Sequence, residues 1–81
     1  MVGFFWVIFM YFQRIGDLRT DHDLRQKDVA DLLDLNTEVY RRYEKGEREI
    51  PVWALIKLAD YYKTSTDYLL GRTNDPAPPH A

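Results

Sequence analysis

The 81-residue sequence has no cysteine, few glycines and prolines, and a formal net charge of −2. The absence of cysteine excludes a disulfide framework and a thiolate metal site, and it fits a reducing cytoplasm. The sequence also lacks a phosphate-binding glycine loop, and no nucleophile, base and orienting group recur at a spacing that catalysis needs. We therefore predict a cytoplasmic chain without enzymatic activity, cofactor or metal site.

Long apolar runs are also scarce, and the one at residues 1–12 is too short to cross a membrane, which takes about 20 apolar residues in a helix. This run has no basic start and no small-residue cleavage site, so it does not resemble a signal peptide. Few basic residues lie near it and acidic ones follow, which disfavours an anchor on the membrane surface. We therefore predict no membrane partner.

The apolar run leaves two structures open. It is either an N-terminal extension of the first helix or a strand, because it is rich in aromatic and β-branched residues. A strand would pair with its copy in a second subunit, since a lone exposed edge aggregates. We expect residues 1–10 to form a dimer contact through Phe4, Trp6 and Ile8, or to dock on a protein partner. The alternative is that the natural product starts at Met10.

Residues 26–43 predict two short helices joined by a tight turn. Apolar side chains three to four residues apart define one face of the first helix: Val29, Leu32 and Leu33. The small side chain of Ala30 would let a second helix cross close to the first. Asn36 is a good N-cap for that second helix, because its side-chain oxygen can accept a backbone N–H.

The second helix should bury Tyr40 and Tyr43 and turn a polar face away from the core. That face comprises Thr37, Glu38, Arg41, Arg42 and Lys45. A short helix held across another, with an exposed polar face, is the helix-turn-helix arrangement. The second helix of that arrangement can enter the major groove of DNA.

A resemblance to a known family follows from the order and spacing of several motifs between residues 11 and 71. The matching positions are Gln26, Ala30, Leu35, Tyr40 and Tyr43, then Glu44, Gly46, Arg48 and Pro51, and finally Leu58, Ala59 and Asp67 to Gly71. With this pattern the chain resembles the phage-repressor and Cro-type helix-turn-helix regulators, also called the XRE family. The resemblance implies an all-α, compact five-helix, lambda-repressor-like DNA-binding domain at residues 11–72, followed by a flexible tail at residues 73–81.

The resemblance also implies roles for individual residues. Base readers would be Thr37, Glu38 and Arg42, and Gln26 would contact phosphate. The chemistry of the side chains adds Arg41, which could contact bases or phosphate, and the phosphate contacts Arg25, Lys45 and Arg48. Family members often form dimers near the last helix, which adds Tyr68 to the expected dimer contacts. An ion pair inside the domain between Arg19 and Glu44 is implied as well.

Two positions depart from the family pattern. Asp34 occupies the turn position that is usually glycine, so it must adopt a left-handed conformation, at a cost of roughly 1 kcal/mol. Arg25 replaces the usual Ser or Thr before Gln26, so the first motif helix loses a side-chain cap worth about 1 kcal/mol.

The remaining elements follow from capping signals and apolar positions. Gly46 should end the second motif helix, Pro51 should open the next helix and Ser65 should cap the last one. We expect much of the core to come from Trp53, Leu55, Ile56, Leu58, Ala59 and Tyr62. In the first helix, at about residues 11–22, Arg14 is expected to point outward.

Two classes of function remain open from the sequence. The first is a homodimeric transcriptional regulator that binds double-stranded DNA, with paired recognition helices on an inverted repeat. The second is a protein-interaction or antitoxin-like module on the same fold with weak or no DNA binding. The net charge of −2 favours the second class, because phosphate neutralisation usually requires a basic protein.

Overall fold

The computed structural model describes residues 11–79 and contains five helices in that range. The helices are α1 (Gln13–Asp21), α2 (Gln26–Leu32), α3 (Thr37–Lys45), α4 (Val52–Tyr62) and α5 (Thr66–Leu69). No strand occurs among the described residues. The all-α, five-helix prediction is confirmed. The expected dimer contacts Phe4, Trp6 and Ile8, and the choice between a helical extension and a strand, lie outside the described residues.

The helix ends follow the capping residues that the sequence contains. The Asn36 side chain accepts the backbone N–H of Glu38 at 2.7 Å at the start of α3, and the Ser65 side chain accepts that of Tyr68 at 2.9 Å in α5. Gly46 ends α3 in a left-handed conformation with a φ of 75°. Pro51 is the N-cap of α4 and not its first residue, and its φ of −74° suits either position.

Apolar side chains from all five helices meet in one core. The largest fully buried side chains are Tyr40, Ile15, Leu33, Leu58, Leu69 and Val29. Ala30 and Ala54 are also inaccessible to solvent, so that their small side chains allow neighbouring helices to approach closely. The core therefore fixes the position of α3 through Tyr40, which lies at the centre of that helix.

Three apolar residues that were expected to face the core are exposed. Trp53 and Ile56 are 46% and 48% exposed, and Leu32 is 37% exposed, so these predictions were wrong. The helix period explains the result for α4, because Leu55, Leu58, Ala59 and Tyr62 occupy one face and are buried there. Trp53 and Ile56 share another face of α4 with Val52, and the three form an exposed apolar surface.

Arg14 also departs from expectation, since its side chain ties α1 to α5 instead of pointing freely outward. The guanidinium lies 4.1 Å from the centre of the Tyr68 ring and donates to the Tyr68 carbonyl at 3.0 Å. It also donates to the carbonyl of Thr73 and to the side-chain oxygen of Asn74. The start of the segment expected to be flexible, residues 73–81, is thus hydrogen-bonded to α1.

Burial predicts which side chains of α4 stabilise the fold. Leu58→Ala should lower the free energy of unfolding by about 2 to 5 kcal/mol, because Leu58 is 0% exposed and truncation leaves a cavity. Trp53→Ala should cost about 1 kcal/mol, although it removes more atoms, because the ring is half in solvent. Urea denaturation measures both variants. Equal losses would contradict this assignment of the core face.

Candidate nucleic-acid interface

The turn between α2 and α3 holds the two helices in a fixed crossing. Asp34 has a φ of 58°, which confirms the expected left-handed turn residue. The backbone N–H of Leu35 then donates to the carbonyl of Ala30 at 2.8 Å, which closes the turn. Ala30 is completely buried, and Thr37, Glu38, Arg42 and Lys45 of α3 are exposed to solvent.

A buried carboxylate, Glu44, joins α3 to both preceding helices. Its oxygens accept from Arg19 Nε at 2.7 Å and Nη2 at 3.0 Å, from Gln26 Nε2 at 3.1 Å and from Tyr40 Oη at 2.6 Å. The Glu44 side chain is only 11% exposed, so these partners replace water. The ion pair between Arg19 and Glu44 is confirmed, and the four residues form what we call the Glu44 network.

The environment of the Glu44 network changes the pKa of its members. Burial opposes ionisation of Glu44, but hydrogen bonds from Arg19, Tyr40 and Gln26 outweigh burial, and the pKa of Glu44 lies below its ordinary value. Burial and the hydrogen bond to Glu44 raise the pKa of Tyr40 above its ordinary value. Glu44 is therefore a carboxylate and Tyr40 a neutral donor at physiological pH.

A second set of charged side chains lies on the exposed face of α3. Arg41 donates to Glu38 through Nε at 2.9 Å and Nη2 at 2.7 Å, and to Glu47 through Nη2 at 3.3 Å and Nη1 at 3.5 Å. Arg42 Nε donates to Glu38 Oε2 at 3.2 Å. Hydrogen bonds from Arg41 first, and then from Arg42, lower the pKa of Glu38 to about 2. We call Glu38, Arg41, Arg42 and Glu47 the surface charge cluster.

The Glu44 side chain points into the domain, and this changes the balance of charges on the exposed face of α3. Between Thr37 and Arg48 the sequence has four basic and three acidic residues. Because Glu44 is turned inward and neutralises Arg19, only Glu38 and Glu47 offset the four basic residues at the surface. The exposed face is therefore more positive than the sequence count indicates, in a chain whose formal net charge is −2.

Comparison with known proteins identifies the family. A family model described as helix-turn-helix matches residues 15–69, which contain all of α2 through α5. The chain belongs to the XRE-type helix-turn-helix family.

Relatives within this helix-turn-helix family are named as regulators. The HTH-type transcriptional regulator YobD of Bacillus subtilis strain 168 is 38% identical over 69 residues, which are 85% of this chain and 62% of the relative. The cryptic phage CTXphi transcriptional repressor RstR of Vibrio cholerae is 36% identical over 65% of this chain and 48% of its own length. Both relatives are named as regulators of transcription.

A solved structure shares the fold. The crystal structure of a transcriptional regulator from Listeria innocua has a TM-score of 0.73 and 29% sequence identity, and the match covers 82% of this chain and 62% of that chain. This helix-turn-helix chain thus spans about half to three-fifths of the length of the proteins that it matches.

The structure of this XRE-type domain divides the expected base readers into two groups. Thr37, Glu38 and Arg42 are exposed on α3, whereas Arg41 is partly covered by its two carboxylate partners. Nη1 and Nη2 of Arg42 form no hydrogen bond with any residue between 11 and 79, so that edge of its guanidinium faces solvent. Arg42 thus has an edge without a described hydrogen-bond partner, whereas both edges of Arg41 are occupied.

The expected phosphate contacts lie near the two ends of the motif. Lys45 and Arg48 are exposed at the end of α3 and just after it. Gln26 donates to Glu44, which anchors the start of α2 beside α3. Arg25 has an exposed side chain whose Nη2 donates to Asp28 Oδ1 at 3.0 Å. These four residues remain predicted phosphate contacts.

The sequence analysis did not identify the contacts that the carboxylates of Asp28 and Glu47 form. The Asp28 carboxylate accepts the backbone N–H of Arg25 at 2.8 Å, which caps α2 where the usual Ser or Thr is absent. The three-residue spacing of Arg25 and Asp28 was a readable signal of this contact. Glu47 lies beyond the end of α3, six residues after Arg41, and helix periodicity does not predict such a contact.

Two other features of the helix-turn-helix chain concern metals and membranes. Among residues 11–79 no group of three or more His, Asp or Glu side chains could hold a metal ion. The ring of His22 instead lies 4.9 Å from that of Tyr62 and contacts the Leu18 carbonyl at 2.8 Å. Within the same range, every helix is too short or too polar to cross a bilayer.

The lowered pKa of Glu44 predicts how stability depends on pH. Since the folded-state pKa lies below the unfolded one, Glu44 stabilises the fold above the ordinary carboxyl pKa. That contribution is lost as the pH falls through the folded-state pKa. Glu44→Gln should therefore lower the free energy of unfolding by roughly 2 kcal/mol near pH 7 and by less in acid.

Urea denaturation of the wild type and Glu44→Gln at a series of pH values measures this difference. The matched control is Glu49→Gln, because Glu49 is exposed and forms no ion pair with any residue of the described range. The control should follow the wild type at every pH. A constant difference between the wild type and Glu44→Gln down to strongly acidic pH would contradict the assigned role.

Proposed function

We propose that the chain is the DNA-binding domain of a transcriptional regulator that reads double-stranded DNA with α3 in the major groove. The observation that carries the proposal is the combination of a rigidly held α3 and an exposed face on which Arg42 presents its Nη1 and Nη2 edge to solvent. A helix of this kind fits the major groove, and an arginine edge fits the two acceptors of guanine.

Three of the expected base readers have a base partner that their chemistry favours. Arg42 would donate to guanine O6 and N7, and Thr37 would contact a thymine methyl group. Glu38 accepts one hydrogen bond at Oε1 and two at Oε2, so Oε1 keeps capacity for the N4 amino group of cytosine. Arg42 and Glu38 would thus read adjacent bases while their ion pair holds both in place.

The predicted phosphate contacts would position α3 in the groove. Lys45 and Arg48 have exposed side chains near the end of α3. Gln26 and Arg25 lie at the start of α2, and their side chains could contact phosphate oxygens there. Such contacts carry no sequence information, but they fix the register of the domain on the duplex.

A homodimer on an inverted repeat is the second part of the proposal. The small positive face of one domain provides few phosphate contacts, so that two domains on one duplex would raise the affinity substantially. The dimer contacts we propose remain Phe4, Trp6, Ile8 and Tyr68. The Tyr68 ring is half-buried beneath Arg14, so its exposed edge would form the contact.

The alternative function is a protein-interaction or antitoxin-like module with weak or no DNA binding. One observation favours it, namely that Glu38 and Glu47 engage the arginines of the face that would meet DNA. In this case the surface charge cluster would serve only as a set of solvated ion pairs, which contribute little to stability.

Selection of bound sequences from random duplex DNA at low salt tests the DNA-binding proposal. We expect enrichment of a defined motif, and Arg42→Ala should cost about 1 to 3 kcal/mol of affinity and relax the preference at one guanine of each half-site. The matched control is Lys45→Ala, which should weaken binding to all sequences alike. A folded wild-type protein that enriches no sequence would contradict the proposal and support the interaction module.

The proposed dimer predicts the form of the selected site. The motif should be an inverted repeat with half-sites about 10 to 10.5 base pairs apart, centre to centre. Sedimentation of the complex should then give two chains per duplex. A single half-site bound by one chain would contradict the homodimer while leaving the DNA-binding proposal intact.

A further inference from the structure

We propose that Glu47 is a positioning residue that occupies Arg41 and thereby limits binding to nonspecific DNA. The inference rests on the proposed function and deepens it, because it explains how one domain could separate specific from nonspecific sites. It assigns a role to a loop residue that belongs to neither the predicted base readers nor the predicted phosphate contacts.

The guanidinium of Arg41 has a carboxylate partner on each of its two edges. A guanidinium is planar and offers two edges, each able to form a paired hydrogen bond with a carboxylate or a phosphate. The Nε and Nη2 edge of Arg41 holds Glu38 at 2.9 and 2.7 Å. The Nη1 and Nη2 edge faces Glu47 at 3.5 and 3.3 Å. Both edges of Arg41 are therefore engaged with carboxylates.

Arg42, the next residue of α3, has fewer hydrogen-bond partners than Arg41. Its Nε donates to Glu38 at 3.2 Å, and its Nη1 and Nη2 edge has no hydrogen-bond partner between residues 11 and 79. Two consecutive arginines on one face thus differ in their availability. Arg42 can contact a base without losing a partner, whereas Arg41 must release a carboxylate before it can contact DNA.

Of the two carboxylates that contact Arg41, Glu47 is held by the longer hydrogen bonds. The bonds to Glu47 are longer than those to Glu38, so that a competing phosphate would displace Glu47 before Glu38. Arg41 would then keep its paired contact with Glu38 and use its other edge on a phosphate. Glu47 opposes this exchange in two ways, because it occupies the edge and repels the phosphate.

Phosphates are present at every register of the duplex, so a second available arginine edge would mainly favour nonspecific complexes. In the specific complex the base contacts fix α3 in one register, and Arg41 stays where Glu38 holds it. In nonspecific complexes α3 samples many registers, and each offers phosphate oxygens to an unoccupied edge. Occupation of that edge by Glu47 therefore increases the ratio of specific to nonspecific affinity.

Fluorescence anisotropy with a random-sequence duplex, over a range of salt concentrations, tests the inference on the full chain. Glu47→Gln keeps the shape of the side chain and removes its charge. We expect the nonspecific affinity of this variant to rise roughly five- to tenfold, and the slope of log K against log salt to steepen by about 0.9, as for one more phosphate contact. The ratio of specific to nonspecific affinity should fall.

Glu49→Gln is the matched control, because it removes the same charge two residues away from an exposed side chain that does not contact Arg41. It should change the nonspecific affinity less than twofold and leave the salt slope unchanged. The Arg41→Gln background provides a double-mutant cycle. In that background, Glu47→Gln should have no larger effect than Glu49→Gln if Glu47 acts through Arg41.

These measurements distinguish a failure of the role proposed for Glu47 from a failure of the proposed function. Equal effects of Glu47→Gln and Glu49→Gln, or an effect of Glu47→Gln that persists in the Arg41→Gln background, would overturn the role of Glu47 and leave the proposed function standing. A folded wild-type protein that binds neither random nor selected duplex would overturn the proposed function and the role of Glu47 together. Circular dichroism of each variant confirms that the compared proteins are folded.

Discussion

The Glu44 network is the interaction on which the arrangement of the motif depends. One carboxylate accepts hydrogen bonds from a helix that precedes the motif, from the first residue of α2 and from α3 itself, through Arg19, Gln26 and Tyr40. A buried carboxylate needs such partners, because an unpaired charge away from water is costly. The need to satisfy Glu44 therefore fixes three helices relative to one another, which apolar packing alone specifies less sharply.

The direction of the polar face follows from this constraint and from two backbone turns. Asp34 adopts a left-handed conformation in the turn between α2 and α3, and Gly46 adopts one at the end of α3, so that α2 and α3 both end abruptly. Tyr40 contributes its ring to the core and its hydroxyl to Glu44, which prevents rotation of α3 about its axis. Because Tyr40 faces the core, the polar residues on the opposite face of α3 lie in solvent. No further interaction is needed to expose them.

Local signals in the sequence predicted most of the fold, whereas contacts between elements were harder to foresee. The caps at Asn36 and Ser65 each depend on a few adjacent residues and were confirmed, and the left-handed turn at Asp34, which the family resemblance implied, was confirmed as well. Trp53 and Ile56 were misplaced because α4 is apolar on more than one face, so that hydrophobicity does not identify the inner one. The Arg19 and Glu44 pair came from the family resemblance, since 25 residues separate the two partners.

The formal net charge of this chain does not describe the charge of the exposed face of α3, because some acidic residues are paired inside the domain or with arginines of that face. Glu44 is neutralised inside the domain, and two of the exposed acidic residues, Glu38 and Glu47, both contact Arg41. If this face meets DNA as proposed, Arg41 would exchange a carboxylate partner for a phosphate or a base and would not simply add a contact. The free energy of binding then depends on the difference between a phosphate or base contact and the carboxylate contact that it replaces. In the proposed complex Arg41 would have to release a carboxylate and the Nη edge of Arg42 would not, so that two arginines of identical chemistry would contribute differently to discrimination between sites.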